Sequence, residues 1–242
     1  MGKNVVNILI HIKMRSTVLN NVKNCFKKSL LKLDMLLLPL LLPFLLKVKG
    51  VKAVHFSIDD VSYHLAHDGQ LLIRRDIDAL IRRLGGVTVT LFLFEKNESC
   101  DIPVPMQAKV GIHLPSMKYG ECESCLNSTY FRFHYYKAST EEVKRMGVST
   151  ALCSHDGRRS YDLTPSDQKV VDSHRPFYKG ETEYIATDVR LEWPIIPQLL
   201  RMKEGSTGMC VVFGHEWGID SYRERLEMFV SYCNKRKIRF IG

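Results

Sequence analysis

Seven polar side chains in this sequence have the types that support metal-assisted hydrolysis. They stand at or just after short apolar segments and are Asp59, Asp60, His113, Arg132, His134, Asp188 and His215. Carboxylate oxygens and imidazole nitrogens bind borderline divalent cations such as Zn²⁺. A further carboxylate and a further histidine can act as general base and general acid. Together these residues are typical of a metal-dependent hydrolase.

The segments that must position these residues alternate in character along the chain. Short apolar runs rich in β-branched residues predict strands at 51–58, 87–94, 108–112, 129–134, 148–152, 183–187, 209–213 and 237–241. Amphipathic stretches predict helices at 72–84, from Ser139, at 194–203 and at 221–234. This alternation predicts a parallel α/β sheet, either open or closed into a barrel. Because the carboxyl ends of parallel strands open on one face, we expect the polar side chains to meet there.

The first two motifs around these residues resemble those of the polysaccharide deacetylases, the carbohydrate esterase family 4 superfamily. Residues 56–61 read F-S-I-D-D-V and resemble the family's T-F-D-D-G, which implies that Asp59 is the catalytic base and Asp60 a metal ligand. Residues 110–117 resemble its H-x-x-x-H motif, with His113 in the first position and Met117 in the second. The resemblance implies a distorted (β/α) barrel of about seven parallel strands.

Three further motifs follow in the family's order. Arg132-Phe-His-Tyr135 resembles R-x-P-Y, and Asp188 with Trp193 resembles an Asp that orients the Arg and is followed by a Trp. V-V-F-G-H-E-W at 211–217 resembles the strand that ends in the histidine acid, here His215. By resemblance Asp188 fixes Arg132, and Arg132 orients the catalytic base. F-S-I-D-D-V, F-R-F-H-Y and G-H-E-W are similar to a divergent branch found with surface-polysaccharide genes.

A Zn²⁺ site with three protein ligands needs one more residue besides Asp60 and His113, because Met117 is not a normal Zn²⁺ ligand. His134 is one candidate, since it stands two residues after Arg132 and would point to the same side of a strand. His215 is the other candidate, but as a metal ligand it could not also act as the general acid. The preferred set is Asp60, His113 and His134. The expected cofactor is a divalent ion, Zn²⁺ first and Ni²⁺ or Co²⁺ as alternatives.

The function that the resemblance implies is removal of N- or O-linked acetyl groups from a sugar or polysaccharide. An alternative is a catalytically inactive protein of the same fold that binds glycan or scaffolds polysaccharide assembly. A third interpretation is a metal hydrolase that acts on a non-sugar amide or ester. The expected partner is an acetylated saccharide, on which Trp217 could stack.

The charge of the chain is concentrated at one end. The 35 Lys and Arg exceed the 26 Asp and Glu by nine. Residues 1–50 hold nine of the bases and one of the acids, a charge of +8, and residues 51–242 carry the remaining +1. A near-neutral body has no electrostatic footprint for nucleic acid, so nucleic-acid binding is not expected. The same near-neutrality favours a pocket for an uncharged or mildly polar sugar.

Residues 1–50 are predicted to be a basic and apolar extension, and residues 51–242 the catalytic domain. The uncharged run Met35–Leu46 would rise about 18 Å as a helix, less than the roughly 30 Å of a hydrocarbon core. Pro39 and Pro43 also count against an ideal spanning helix. Three interpretations stay open: contact of residues 23–49 with an anionic membrane surface, burial against the domain, and spanning or secretion. The expected location is cytoplasmic with membrane association.

Overall fold

The computed structural model describes residues 2–65, 71–93, 106–113, 128–154, 156–203 and 208–242. Its helices are α1 (Gly2–Val48), α2 (Arg75–Leu84), α3 (Thr140–Arg145), α4 (Pro165–Asp172), α5 (Ile195–Arg201) and α6 (Ile219–Lys235). Its strands are β1 (Ala53–Val61), β2 (Tyr63–Leu65), β3 (Leu71–Ile73), β4 (Val89–Leu93), β5 (Ala108–Ile112), β6 (Tyr130–Phe131), β7 (Thr150–Leu152), β8 (Tyr178–Lys179), β9 (Thr182–Ile185), β10 (Val189–Arg190), β11 (Met209–His215) and β12 (Arg239–Ile241).

The central sheet is parallel and has the order β10-β11-β1-β4-β5, with β12 also paired to β1. Apolar side chains on both faces of its strands explain this arrangement, because a parallel sheet is covered on both sides. A second sheet has the order β6-β7-β9-β8, and β2 and β3 form a separate antiparallel pair. The predicted mixed α/β class with a mostly parallel central sheet is confirmed.

A closed barrel of about seven strands is not shown, because the strands lie in separate sheets. Strand β6 has only two residues, so it offers little backbone for pairing. The amide of Ser128, just before β6, donates to the carbonyl of Val110 in β5 at 3.2 Å. This bond is a point of contact between the two larger sheets.

The segment predicted as a strand at 129–134 is shorter than expected. Strand β6 ends at Phe131, and His134–Tyr136 forms a 3₁₀ turn. Arg132 and His134 therefore do not share one face of a strand, and the alternation argument for His134 was wrong. Helix α4 was not predicted, although Thr164 caps it, Pro165 starts it and Asp167 completes a capping box.

The second half of α1 packs into the domain. Leu38, Leu42, Leu45 and Leu46 are buried in the main hydrophobic core. Asp34 accepts hydrogen bonds at 2.8 Å from the first two amides of α5. These groups would otherwise lack an intrahelical acceptor, so Asp34 caps α5 from another helix. Burial against the domain, one of the three interpretations of this segment, thus applies to one face of α1.

The opposite face of α1 is apolar and exposed. Leu33, Leu36, Leu40 and Phe44 recur every three or four residues and are 50–73% exposed. Pro39 and Pro43 lie inside α1 without ending it. The part from Asn24 to Val48 is long and apolar enough to cross a membrane, by length and composition only. Core helices and signal sequences have the same two properties.

Candidate metal centre

A distortion at the end of β1 turns two consecutive carboxylates toward one cavity. The register between β1 and β4 shifts between Ile58 and Val61, and Asp60 has a φ of 57°. Successive side chains of a regular strand point to opposite faces, and positive φ is uncommon outside glycine. This distortion allows Asp59 and Asp60 to line the same cavity, which has a volume of about 290 Å³.

Asp60, His113 and His134 converge in this cavity. The distance from Asp60 Oδ1 is 3.3 Å to His113 Nε2 and 3.5 Å to His134 Nδ1, and the two nitrogens are 3.2 Å apart. One ligand atom from each residue lies within 4.8 Å of the others. Three donors at this spacing, one oxygen and two nitrogens, could hold a divalent metal ion.

The surroundings of the three donors also fit a cation. His113 Nδ1 lies 2.7 Å from the carbonyl oxygen of Arg132, and the tautomer that donates there leaves Nε2 unprotonated. Such a hydrogen bond is the usual support of a metal-binding histidine. Asp60 Oδ1 is buried and has no hydrogen-bond partner among the described residues. A buried acceptor without a donor is destabilised, and a cation would satisfy it.

The protonation states of two donors suit metal binding. Burial raises the pKa of Asp60, but at low pH the protonated rings of His113 and His215, together with the Trp217 N–H, outweigh burial and hold the pKa at about 2. Burial and then the proximity of His113 lower the pKa of His134, against the opposing effect of Asp60. At neutral pH the carboxylate is ionised and the His134 ring is neutral, which are the forms that bind a metal.

The turn that carries His134 has an unusual backbone. Tyr135 and Tyr136 have φ values of 54° and 57°. Hydrogen bonds hold this conformation, from the amide of Tyr136 to the carbonyl of Phe133 and from the amide of Tyr161 to the carbonyl of Tyr136. Backbone strain of this kind concentrates at functional sites. Here it brings the His134 ring to the other donors, in place of the strand geometry expected from the sequence.

Asp59 and Arg132 form a buried ion pair beside the three-donor cluster of Asp60, His113 and His134. Arg132 Nη1 lies 3.0 Å from Asp59 Oδ1 and 2.9 Å from Oδ2, and both side chains are 1% exposed. Ser57 Oγ donates to the same carboxylate at 3.2 Å, and Arg132 Nη2 donates to Thr187 Oγ1 at 3.1 Å. The Phe213 ring lies 4.3 Å from the guanidinium carbon. The carboxylate is therefore fixed in one orientation.

His215 lies next to Asp59 because their strands pair in register. Its backbone amide donates to Glu192 Oε1 at 2.5 Å, and its Nδ1 lies 3.1 Å from the same oxygen. The Trp217 ring stacks on the His215 ring at 4.9 Å, and its Nε1 donates to Asp60 Oδ2. His215 thus borders the cavity but lies outside the three-donor cluster.

Glu192 is a site residue that the sequence reasoning missed. Burial raises its pKa, but the hydrogen bonds and charge of His215 outweigh burial and lower it, so Glu192 stays ionised. Gly218 makes room for it, because a Cβ at that position would come 2.7 Å from Glu192 Cγ. The available signal was an acid directly before Trp193 at the end of a strand.

Asp188 does not have the position expected of it. Its carboxylate accepts from the amide of Val211 at 2.8 Å and lies 3.1 Å from His174 Nε2. Among the described residues it makes no hydrogen bond with Arg132, so the prediction that it fixes Arg132 was wrong. Thr187 takes that contact instead. Consecutive side chains of an extended segment point in different directions, so Thr187 contacts Arg132 while Asp188 contacts Val211 and His174.

Met117 lies in 114–127, outside the described residues, so its place in the second motif stays a prediction. Comparison with protein-family models gave no match, and comparisons with curated proteins and with solved structures also gave none. The resemblance to polysaccharide deacetylases accordingly rests on the sequence motifs alone.

Proposed function

We propose that this protein is a metal-dependent hydrolase that removes N- or O-linked acetyl groups from a saccharide. The convergence of Asp60, His113 and His134 carries the proposal. Asp59 and His215 stand on adjacent strand ends and line the same cavity, which supports roles for them as base and acid. These residues also stand in the sequence motifs that resemble those of a deacetylase.

The proposed chemistry divides among the residues around the cavity. Asp60, His113 and His134 would hold the ion, with Zn²⁺ preferred over Ni²⁺ or Co²⁺, and a bound ion polarises the acetyl carbonyl and acidifies water. Asp59, held by Arg132, accepts the proton of the attacking water. His215, held by Glu192, donates a proton to the departing amine or alcohol.

Exposed aromatic rings at the cavity support a saccharide as the substrate. Tyr135 and Trp217 line it and are 60% and 62% exposed. Flat aromatic faces offer apolar contact area to the C–H surface of a sugar ring, while the polar edges stay available for hydrogen bonds. This observation favours a sugar over a non-sugar amide or ester.

We also propose that the two larger sheets are parts of one distorted barrel. The chain runs from β9 directly into β10, and the Ser128–Val110 bond joins β5 to the start of β6. Both edge strands of the central sheet, β5 and β10, are thus connected to the second sheet. The site then occupies the carboxyl ends of the strands, where barrel enzymes carry theirs.

Metal content and acetate release test the function together. The purified protein is expected to bind about one Zn²⁺, Ni²⁺ or Co²⁺ and to release acetate from acetylated saccharides. His134→Ala should lose the metal, whereas His215→Ala should keep it and lose turnover. Asp220→Asn, at a side chain that is 83% exposed and outside the cavity, is the matched control.

Each alternative gives a different result in this experiment. A metal-free protein that binds glycans without releasing acetate would favour the inactive binding or scaffolding protein. Acetate release from non-sugar esters alone would favour the third interpretation. Loss of metal in His215→Ala, with metal kept in His134→Ala, would reverse the two histidine roles.

The exposed face of α1 supports a second proposal, contact with an anionic membrane surface. The apolar stripe Leu33, Leu36, Leu40 and Phe44 is accompanied on this helix by exposed Lys28, Lys32 and Lys47. Apolar side chains beside lysines favour shallow insertion among anionic headgroups. A cytoplasmic, membrane-associated location is part of this proposal.

Vesicle co-sedimentation tests the membrane contact. The full chain should bind phosphatidylglycerol vesicles more strongly than phosphatidylcholine vesicles, and Leu36→Glu with Leu40→Glu should weaken binding. Met106→Glu, at a side chain that is 94% exposed and remote in sequence, is the control. Absence of binding, or a dimer that the α1 variant dissociates, would overturn the proposal.

A further inference from the structure

Two arginines line the candidate cavity in addition to the groups that the proposed reaction uses. They are Arg158 and Arg190. The near-neutral charge of residues 51–242 favoured an uncharged sugar, but charge averaged over a domain does not describe one pocket. A neutral substrate would not use the positive charge of two guanidinium groups at its binding site.

The guanidinium group of Arg190 is held by a carboxylate at its Nε edge and by two aromatic rings near it. Its Nε donates to Glu192 Oε2 at 2.9 Å. Its guanidinium carbon lies 5.9 Å from the Phe213 ring centre and 5.7 Å from that of Trp217, which is within cation–π range. Neither terminal nitrogen makes a hydrogen bond with a described residue. A guanidinium fixed in this way is ready to receive a planar or tetrahedral anion.

Arg158 is held in a similar manner. Its Nε contacts both oxygens of Asp156, at 2.9 and 2.8 Å, and its side chain is 52% exposed. Its terminal nitrogens also make no hydrogen bond within the described part of the chain. Both arginines therefore use Nε for a carboxylate of the protein and leave the two-nitrogen end of the fork available.

The two carboxylates that line the cavity are not paired with Arg158 or Arg190. Asp59 is paired with Arg132, and Asp60 belongs to the three-donor cluster. The available ends of Arg158 and Arg190 are thus donors for something else in the cavity. Arginine is the side chain best suited to a carboxylate or phosphate, because it binds either one through two parallel N–H groups.

The position of Arg190 indicates which part of a substrate carries the anion. Glu192 joins Arg190 to His215, since Oε2 accepts from one and Oε1 from the other. His215 is the proposed donor to the leaving group, which is the sugar itself. A group bound by Arg190 therefore lies on the sugar side of the acetyl linkage.

We propose that the substrate is an anionic saccharide, in which the acetylated sugar or its neighbour carries a carboxylate or phosphate bound by Arg190 and Arg158. This inference rests on the proposed function and names the substrate class of the same site. It replaces the uncharged or mildly polar sugar expected from the composition.

Fluorescence of Trp217 provides a binding assay that does not depend on turnover. The chain has two tryptophans, so Trp193→Phe leaves Trp217 as the one reporter, at the cavity. The metal-loaded Trp193→Phe protein is titrated with an oligogalacturonate, with glucose 6-phosphate and with an uncharged maltooligosaccharide. The first two probes separate carboxylate from phosphate recognition.

An anionic probe is expected to bind about tenfold more tightly than the neutral one, and salt should reduce the difference. Arg190→Gln should bring the ratio of the two dissociation constants close to one, and Arg158→Gln should lower it several-fold. Arg82→Gln, at an exposed arginine in α2, should not change it. If Arg190→Gln fails to fold, Arg158→Gln carries the test, because that side chain is half exposed.

Equal affinity for charged and neutral probes, or a ratio that neither arginine variant changes, would overturn the inference. Acetate release is measured separately with acetylated forms of the charged and neutral saccharides. Anion-selective binding without any acetate release would refute the hydrolase and leave the anionic ligand supported. Release with equal efficiency from both forms would refute the anionic substrate alone.

Discussion

The buried pair of Asp59 and Arg132 makes a quantitative prediction. Asp59→Asn changes one atom of the proposed base and leaves the Arg132 guanidinium, 1% exposed, without its counter-charge. Ser57 and Thr187 still accept hydrogen bonds from it, but both are neutral. The substitution should therefore reduce stability as well as remove the base.

The size of the stability loss follows from the geometry. Removal of one partner from a buried ion pair reduces the free energy of unfolding by about 3–5 kcal/mol. The asparagine oxygen can keep one contact with Arg132, which favours the lower end, about 3 kcal/mol. For a chain of this length each kcal/mol lowers Tm by about 2–4 °C, so Tm should fall by about 6–12 °C.

A double-mutant cycle separates this ion pair from general damage to the core. Arg132→Met alone should also destabilise, because the Asp59 carboxylate then keeps Ser57 as its one donor among the residues that the structure describes. The double variant removes both charges and should be more stable than the sum of the single effects by about 2–3 kcal/mol. Urea unfolding measures all four proteins without metal. The same Asp59→Asn protein, loaded with metal below its Tm, should lose acetate release by at least about 100-fold.

Two results would refute this reasoning. Additive effects in the cycle would mean that the two side chains do not stabilise each other. Unchanged turnover in folded, metal-loaded Asp59→Asn would exclude Asp59 as the base. A loss of turnover that accompanies a loss of metal would assign the effect to the ligand cluster instead.

Three further predictions concern residues outside the three-donor cluster of Asp60, His113 and His134. Glu192→Gln removes the charge beside His215, so kcat should fall about 10- to 100-fold across the pH profile with metal content unchanged; an unaltered kcat would exclude the positioning role. Asp34→Ala leaves the first two amides of α5 without an acceptor and should lower the free energy of unfolding by about 2–5 kcal/mol in urea, whereas exposed Leu33→Ala should change it little. Burial, with a smaller effect of Arg132, lowers the pKa of His55 to about 3. The contribution of neutral His55 to the free energy of unfolding is therefore full above about pH 6.5 and falls toward pH 3 by up to about 1.4 kcal/mol per pH unit. His55→Leu should flatten this dependence of the free energy of unfolding on pH. Parallel curves for the two proteins would contradict the prediction.

The part of the site that could be predicted from the sequence lies at the ends of regular strands. Asp59 and His215 follow apolar runs whose parallel pairing brings their ends together, and the register places the two residues side by side. His113 was found in the same way, directly after β5. In each case the strand pattern determines where the Cα atom of the residue lies. The residue type and its position in the pattern were therefore sufficient to predict it as part of the site.

The part that could not be predicted depends on backbone that leaves the strand geometry. Asp60, Tyr135 and Tyr136 have positive φ, which no periodic pattern indicates for these residue types. Alternation therefore gave the wrong reason for His134. The motif resemblance implied Asp188 as the partner of Arg132, whereas Thr187, the residue before it, makes that contact. Which of two consecutive side chains faces Arg132 after a strand end is not encoded in apolar periodicity.

Helix α1 shows a different limit of pattern reading. Its buried leucines and its exposed leucines belong to opposite faces of one helix, so the composition is apolar all round and has no clear amphipathic signal. A single acid, Asp34, marks the face of α1 that packs into the domain, because its carboxylate accepts hydrogen bonds from the start of α5. Attachment to the domain was thus visible in one polar residue, while the apolar run itself was equally compatible with a membrane.

Glu192 connects the proposed reaction with the proposed substrate. One of its oxygens holds His215 and the other holds Arg190, so its charge orients the proton donor and the anion contact together. Glu192→Gln should consequently change two measurements that are otherwise independent, kcat and the preference for charged saccharides. Arg190→Gln changes the contact with the anion and leaves His215 its carboxylate, so it should lower the preference by more than it lowers kcat. The opposite order would mean that Arg190 acts through His215 and not on the substrate.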